Sequence, residues 1–402
     1  MMRGMTMLAI RGGTVVPVVG PPIPGGTVLV DGEQIVDVGA AVAVPDGATV
    51  VDAAGRWVLP GLIDAHTHMG TLEEGEGWAG DDHDEATVPV TAQLRALDAI
   101  NPSDEGFRDA VGGGVLAVGI NPGSCNPIAG ETVAVRCTGR TVDDLVLRSP
   151  AGMKSALGEN PKRYHGDAGR LPSTRMGIAA VIRQALAEAR EYHERRTADD
   201  GPAIDLGLEA LGRVLRREIP WRQHCHRADD ILTAVRLSEE FGYDLVIDHG
   251  TEAHLVADIL AERNIPVLLG PLIVGRGKVE LRHRAFRNAR LLAEAGIELS
   301  LVTDHPVIPA NLLIVQAAYA VREGLDRETA LRAVTLNPAR ALGIADRLGS
   351  LAPGKDADFC IWSGDPLDPM QRVELAYQRG REVFRWDKER RVGTINGRDW
   401  WA

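Results

Sequence analysis

The chain has 402 residues, 45% of them hydrophobic and 25% charged, a length that suits two to three domains or one large barrel with an appendage and excludes a small module. Lys and Arg number 44 against 56 Asp and Glu, a formal charge of −12, and no basic run offers the phosphate-tracking stripe that nucleic acids require. Aromatic residues, at 4%, are too sparse for single-strand stacking platforms, so a nucleic-acid partner is not expected.

Cys125, Cys137, Cys225 and Cys360 show no C-x-x-C spacing and lie too far apart for a secreted disulfide scaffold, which points to a reducing cytoplasm. The leading M-M-R-G-M-T-M-L-A-I-R holds an apolar stretch of about six residues before Arg11, short for a signal-peptide core. No stretch approaches the ~18 apolar residues of a membrane span, so a soluble protein without a membrane partner is expected.

In chain order, the first sixty residues read as short strands punctuated by turns: T-V-V-P-V-V, then G-T-V-L-V-D-G-E-Q-I-V-D-V-G, then A-T-V-V-D-A-A-G-R-W-V-L-P. Asp31-Gly32 between alternating apolar residues predicts a hairpin. From Pro60 to about Ala345, apolar runs alternate with helical periodicity, the pattern of a parallel α/β sheet. The predicted strands are G-L-I-D-A-H, G-G-V-L-A-V-G, T-V-A-V-R-C, G-M-K-S-A-L, W-R-Q-H-C-H, Y-D-L-V-I-D-H, I-P-V-L-L-G and I-E-L-S-L-V-T-D-H. Helices are predicted from Ile178 to Arg195, Ile231 to Glu240, Ala253 to Arg263, Arg282 to Ala295 and Asn311 to Arg322. From about Leu348 the strand texture returns in D-A-D-F-C-I-W, V-E-L-A-Y-Q-R-G and E-V-F-R-W. The expected architecture is a (β/α)8 barrel over residues 60–345, with a small β-sandwich domain made of residues 1–59 and 346–402.

His66-Thr67-His68 ends the first barrel strand, and alternate strand residues point the same way, so the two imidazoles can share a metal. His224 and His226 end the fifth predicted strand, Asp248-His249 the sixth and Asp304-His305 the eighth. Six of the 11 histidines thus fall at strand ends that open on one barrel mouth, where catalytic groups are found. The other five, His83, His165, His193, His254 and His283, read as solvated.

With P-G-L-I-D-A-H-T-H, H-C-H, D-H-G, T-D-H-P and the late segment from Thr335 to Phe359 in this order, the chain resembles the amidohydrolase superfamily of metal-dependent hydrolases. It is most similar to the branch of imidazolonepropionase-like proteins and Xaa-Pro-type dipeptidases. The resemblance implies that His66, His68 and Asp304 bind one metal, with His224 and His249 as further ligands; in one-metal members the histidine at the position of His249 polarises the substrate instead. It also implies that Lys154 is a carboxylated bridge between two metals; a lysine at a barrel mouth can equally bind a substrate carboxylate. His226 is either an outer neighbour of the metal or a packing residue at the barrel rim.

The chemistry stands on the residues as well. A divalent ion held by imidazoles and one carboxylate acidifies bound water and polarises a carbonyl, and an adjacent carboxylate, here Asp304, can carry the proton to a leaving nitrogen. Zinc suits this donor set, as do iron and manganese, with one or two ions. The expected reaction on a small-molecule substrate is hydrolysis of an amide-type C–N bond, in a cyclic amide or a dipeptide. The alternatives are a ring-amidine deaminase on the same site and a catalytically silent scaffold. A homodimer is expected by analogy. Asn160-Pro161 reads as a helix start, leaving Glu159 as a loop residue that faces the substrate or has no role, with a carboxylate supplied in place of that of Lys154 as the alternative. Gly112 to Gly114 and Asn121 to Ser124 read as tight turns, and Glu73 to Asp84 as a solvated loop or a lid. Arg136, Arg163, Arg170 and Arg175 are candidates for holding an anionic substrate.

Overall fold

The computed structural model describes residues 7–196 and 201–399; Met1–Thr6 of the apolar leader lie outside the described residues. The N-terminal strands are β1 Leu8–Val15, β2 Ile23–Asp31, β3 Gln34–Gly39, β4 Thr49–Asp52 and β5 Trp57–Pro60. The Asp31-Gly32 hairpin forms between β2 and β3, with Gly32 at φ 59°. The first strand lies earlier than T-V-V-P-V-V predicts, because Pro17 has no N–H to give to a ladder and the chain leaves the sheet beyond Val16.

All eight predicted apolar runs of the middle become strands of one sheet: β6 Leu62–Thr67, β7 Val115–Ile120, β8 Ile128–Arg136, β9 Val146–Ala156, β10 Trp221–Cys225, β11 Leu245–His249, β12 Val267–Leu269 and β13 Leu299–Leu301. The sheet order follows the chain from β6 to β13, and its edges meet where Asp304 N–H donates to the His66 carbonyl and His68 N–H to that of His305, leaving the barrel nearly closed. The expectation of an all-parallel sheet is corrected at β8, which runs antiparallel to both β7 and β9. Only Asn121–Pro127 separate β7 from β8, too few residues for the crossover that a parallel neighbour needs.

The last strands, β14 Phe359–Trp362, β15 Val373–Gln378, β16 Arg381–Asp387, β17 Val392–Ile395 and β18 Arg398–Asp399, join β1–β5 in a second sheet of ten strands, with β14 pairing β5. One set of its side chains, among them Ile10, Val28, Val58, Phe359 and Leu375, forms a separate apolar cluster, whereas Cys360, Trp362 and Phe384 pack with the barrel core.

The helix Arg175–Arg196 buries Ile178, Ile182, Ala185 and Ala189, the stripe its periodicity predicts. The helix Ala228–Phe241 ends at Gly242, whose left-handed φ of 78° supplies the cap. The predicted helix from Arg282 to Ala295 is cut to Arg287–Glu294, and Ala253 to Arg263 divides into a 3-10 turn Ala253–Val256 and a helix Ala257–Glu262. Glu159 is corrected from a loop residue to the first residue of the helix Glu159–Asp167, capped by Gly158 rather than Asn160. Its N–H donates to the buried Glu280 carboxylate at 2.8 Å, so a distant side chain does the work of a local cap. Among the described residues no helix is long and apolar enough to cross a membrane.

Candidate active site

At the end of the barrel where β6, β10 and β11 finish, one ligand atom from each of His224, His226 and His249 lies within 4.8 Å of the others, and the same holds for His66, His249 and Asp304. The two triads share His249. His68 joins through Asp304, its Nε2 3.3 Å from Oδ1, with His66 Nε2 3.4 Å from the same oxygen. The imidazoles are all buried.

Strand periodicity alone does not assemble this cluster. His249 follows Asp248 and would face away from it, but a backbone φ of 73° brings its ring to 4.6 Å from His66 and 4.4 Å from His224, between centroids. Asp304, at φ 58°, departs from the extended backbone in the same way. Left-handed conformations at non-glycine residues carry strain, and such residues concentrate at functional sites.

Four of the five rings are held from behind. The Nδ1 atoms of His68 and His249 donate to the carbonyls of Asn121 and Gly270, both at 2.8 Å, which fixes the tautomer and leaves Nε2 with a free lone pair. Gly270 is required there, since at φ 155° a Cβ would sit 2.0 Å from the Val302 carbonyl. His66 Nδ1 lies 2.9 Å from Asp248, whose other oxygen accepts from Arg222 at 3.0 Å, and His226 Nδ1 lies 2.8 Å from the Thr251 hydroxyl. His224 Nε2 is buried and has no hydrogen-bond partner.

Burial pushes His68, His224 and His249 below the ordinary imidazole range, His224 and His249 far below it, and takes His226 down to about 3. Neutral imidazoles are the ligand form. Burial works to raise Asp304 and Asp248, but His249, His66 and His68 hold Asp304 well below the carboxylate range, and Arg222 and His66 do the same for Asp248. Asp64, against Thr303, goes the other way, raised to about 6 by burial. The orphaned Nε2 of His224, neutral rings and an ionised carboxylate together fit a divalent cation.

Lys154 is fully buried, with Nζ 3.4 Å from His66 Nε2 and 3.1 Å from the Pro122 carbonyl. Burial lowers its pKa, favouring the uncharged amine. The segment from Asn121 to Ser124 is thus more than a turn, because its carbonyls orient His68 and Lys154.

Three of the arginines considered for substrate lie in structural contacts. Arg136 is buried against Asp356 and Asp358 at the far barrel end, Arg170 donates to the carbonyls of Ala86 and Thr87, and Arg175 pairs with Asp230 and Glu280. Arg163 lies over the Tyr164 ring. The solvated reading of five histidines is corrected at four. His165 is fully buried against Asn126 at 2.9 Å, His193 is half-buried with Nε2 3.0 Å from the Leu208 carbonyl, and His254 is half-buried. His83 lies with its ring 5.2 Å from His68 and pairs with Asp81 and Asp84, so the acidic loop packs onto the site. Its spacing after His68 gives no signal; only the loop's return, with Asp82 N–H donating to the Thr71 carbonyl, brings it there.

Residues 216–391 match the family model described as the amidohydrolase family. An amidohydrolase from Thermotoga maritima MSB8 of known structure is 44% identical, with a TM-score of 0.91 over 94% of this chain and 100% of that one. Amidohydrolase tasK of Hapsidospora irregularis is 31% identical over 81% of this chain, which spans only 36% of that protein's length. The imidazolonepropionase of Rhizobium meliloti (strain 1021) is 26% identical over 90% of each chain.

Proposed function

The chain belongs to the amidohydrolase family of hydrolases acting on C–N bonds, and from that premise we propose that it cleaves an amide-type bond in a cyclic amide or a dipeptide, using the cluster at the barrel mouth. The observation that carries this reading is the pair of triads sharing His249, one completed by His66 and Asp304 and the other containing the unpartnered His224 Nε2. In this proposal His66, His68, Asp304, His224 and His249 hold the metal, zinc first and iron or manganese as alternatives. When bound, the ion supplies a Lewis acid and lowers the pKa of water.

Asp304 is the proposed base: it is the ionised carboxylate of the cluster, its side chain is 17% exposed, and it can take a proton and return it to the leaving nitrogen. His226, with its ring stacked 4.9 Å from that of His249, keeps the neighbouring rings in place or becomes a third imidazole donor to a second ion. In the same proposal Lys154, if carboxylated, would bridge two ions, a reading supported by its burial with Nζ 3.4 Å from His66 Nε2. The domain division into residues 1–59 plus 346–402 and 60–345 belongs to the same proposal, supported by the separate apolar cluster of the terminal sheet.

Elemental analysis of protein purified without added metal, followed by a screen of dipeptides, cyclic ureides, lactams and ring amidines, tests the reading. Bound metal with turnover of an amide supports it, ammonia release from an amidine moves it to deamination, and metal-loaded protein inert to the whole library refutes it.

A further inference from the structure

The segment after β12, residues 271–286, carries Arg276, Lys278, Arg282 and Arg284 against a single acid, Glu280, in a chain whose net charge is −12. Most of this charge is engaged locally. Arg282 pairs with Glu252, Arg276 and Arg284 donate to backbone carbonyls, and Glu280 accepts from Arg175 and the Glu159 N–H.

Lys278 differs. Its Nζ reaches across to Asn160 Oδ1 at 2.8 Å, and Asn160 Nδ2 donates to Ser124 Oγ at 2.7 Å. That chain ties together the loop after β12, the start of the helix Glu159–Asp167 after β9 and the loop after β7. The partner is neutral, and among the described residues no carboxylate lies within ion-pair distance of this half-buried ammonium. Ser124 belongs to the same segment as the Asn121 and Pro122 carbonyls that hold His68 and Lys154, which sets this chain of contacts at the barrel mouth. The neighbouring basic side chains are closed off: Lys154 and Arg222 are fully buried, the latter on Asp248. Gly275 and Gly277, near Lys278 in sequence, are exposed, and a Cβ at either would meet nothing within 4 Å.

An ammonium has three donors, and here one is used. A strongly acidic protein repels anions at long range, so an uncompensated cation at the mouth is where an anionic group is best received. We propose that Lys278 selects substrates carrying an anionic group, a carboxylate first, on the side of the scissile bond that faces the loop after β12, with Asn160 giving up its hydrogen bond as the ligand arrives. The proposal rests on the preceding reading for the location of the site, and it names the substrate class.

The test is equilibrium binding by calorimetry to the protein as purified, using N-acylated amino acids that end in a carboxylate, a phosphonate or a carboxamide. A charge-assisted hydrogen bond predicts that an anionic member binds about 10- to 100-fold more tightly than its carboxamide. Lys278→Met should abolish that preference while leaving carboxamide binding unchanged, and Lys278→Arg should keep it. The better of the two anions identifies the group. Circular dichroism and melting of each variant separate misfolding from loss of the contact, and Lys278→Gln serves if Lys278→Met is misfolded. No anion preference in the parent protein, or a preference that survives removal of the ammonium, overturns the proposal. A Lys278-dependent preference in a metal-loaded protein that hydrolyses no member of the wider amide and amidine library would refute the proposed reaction and leave this inference standing.

Discussion

Asp248→Asn separates what the buried carboxylate does for the metal from what it does for the fold. In the parent protein, one oxygen lies 2.9 Å from His66 Nδ1 and the other accepts from Arg222 at 3.0 Å, with all three side chains fully buried. An asparagine has one acceptor for two donors and turns its NH2 toward one of them. Leaving the Arg222 guanidinium without its counter-ion should cost about 3–5 kcal/mol, measured by urea unfolding of metal-stripped protein. Losing the carboxylate behind His66 should weaken metal binding by about 10- to 100-fold, measured by chelator competition. A double variant, Asp248→Leu with Arg222→Met, removes both charges; it should regain much of the stability while metal affinity stays low. If Asp248→Asn unfolds more easily yet binds metal as tightly as the parent, Asp248 serves Arg222 alone and the account of His66 is wrong.

Asp304→Asn keeps size and one oxygen but not the basic charge, so turnover should fall by about 10²- to 10⁴-fold in a sample whose metal content is measured alongside; near-normal turnover with metal bound would remove Asp304 as base. Lys154→Ala should halve the metal content, from two ions per chain toward one, if the lysine is a carboxylated bridge, and unchanged elemental analysis would make it a plain amine. Burial raises Glu280 from 4.5 to about 7, so its contribution to stability is complete below pH 4.5 and is lost as pH rises through about 7. Glu280→Gln should flatten the stability profile across that window, by up to about 3 kcal/mol; an unaltered slope in urea titrations would show that Glu280 is not the group titrating.

The barrel strands were legible because each is an apolar run bounded by glycine, proline or charge, and β6, for one, is buried at every position. The histidine pairs were legible through the period of two. What lies outside that periodicity was not. His249 and Asp304 enter the cluster through left-handed backbone, and the groups that steer the rings are main-chain carbonyls at Asn121 and Gly270, which no side-chain pattern announces. Strand direction escaped as well: T-V-A-V-R-C reads the same in either sense, and only the short connection before Ile128 reveals the reversal. His83 and Lys278 sit on loops whose return path is set by contacts distant in sequence.

The reversal of β8 also changes how substitutions along that strand act. On the seven other strands, the C-terminal end borders the chemistry and the N-terminal end borders the scaffold. On β8 the first residues, beginning with Ile128 opposite Ser155, lie on the chemical side, whereas Arg136 closes on Asp356 and Asp358 of the segment entering β14. An insertion just after Arg136 would therefore leave selectivity alone and loosen the junction between the two sheets, while one between Asn121 and Pro127 would disturb His68 and Lys154 together. Variation along this single strand should follow the opposite gradient to that of its neighbours.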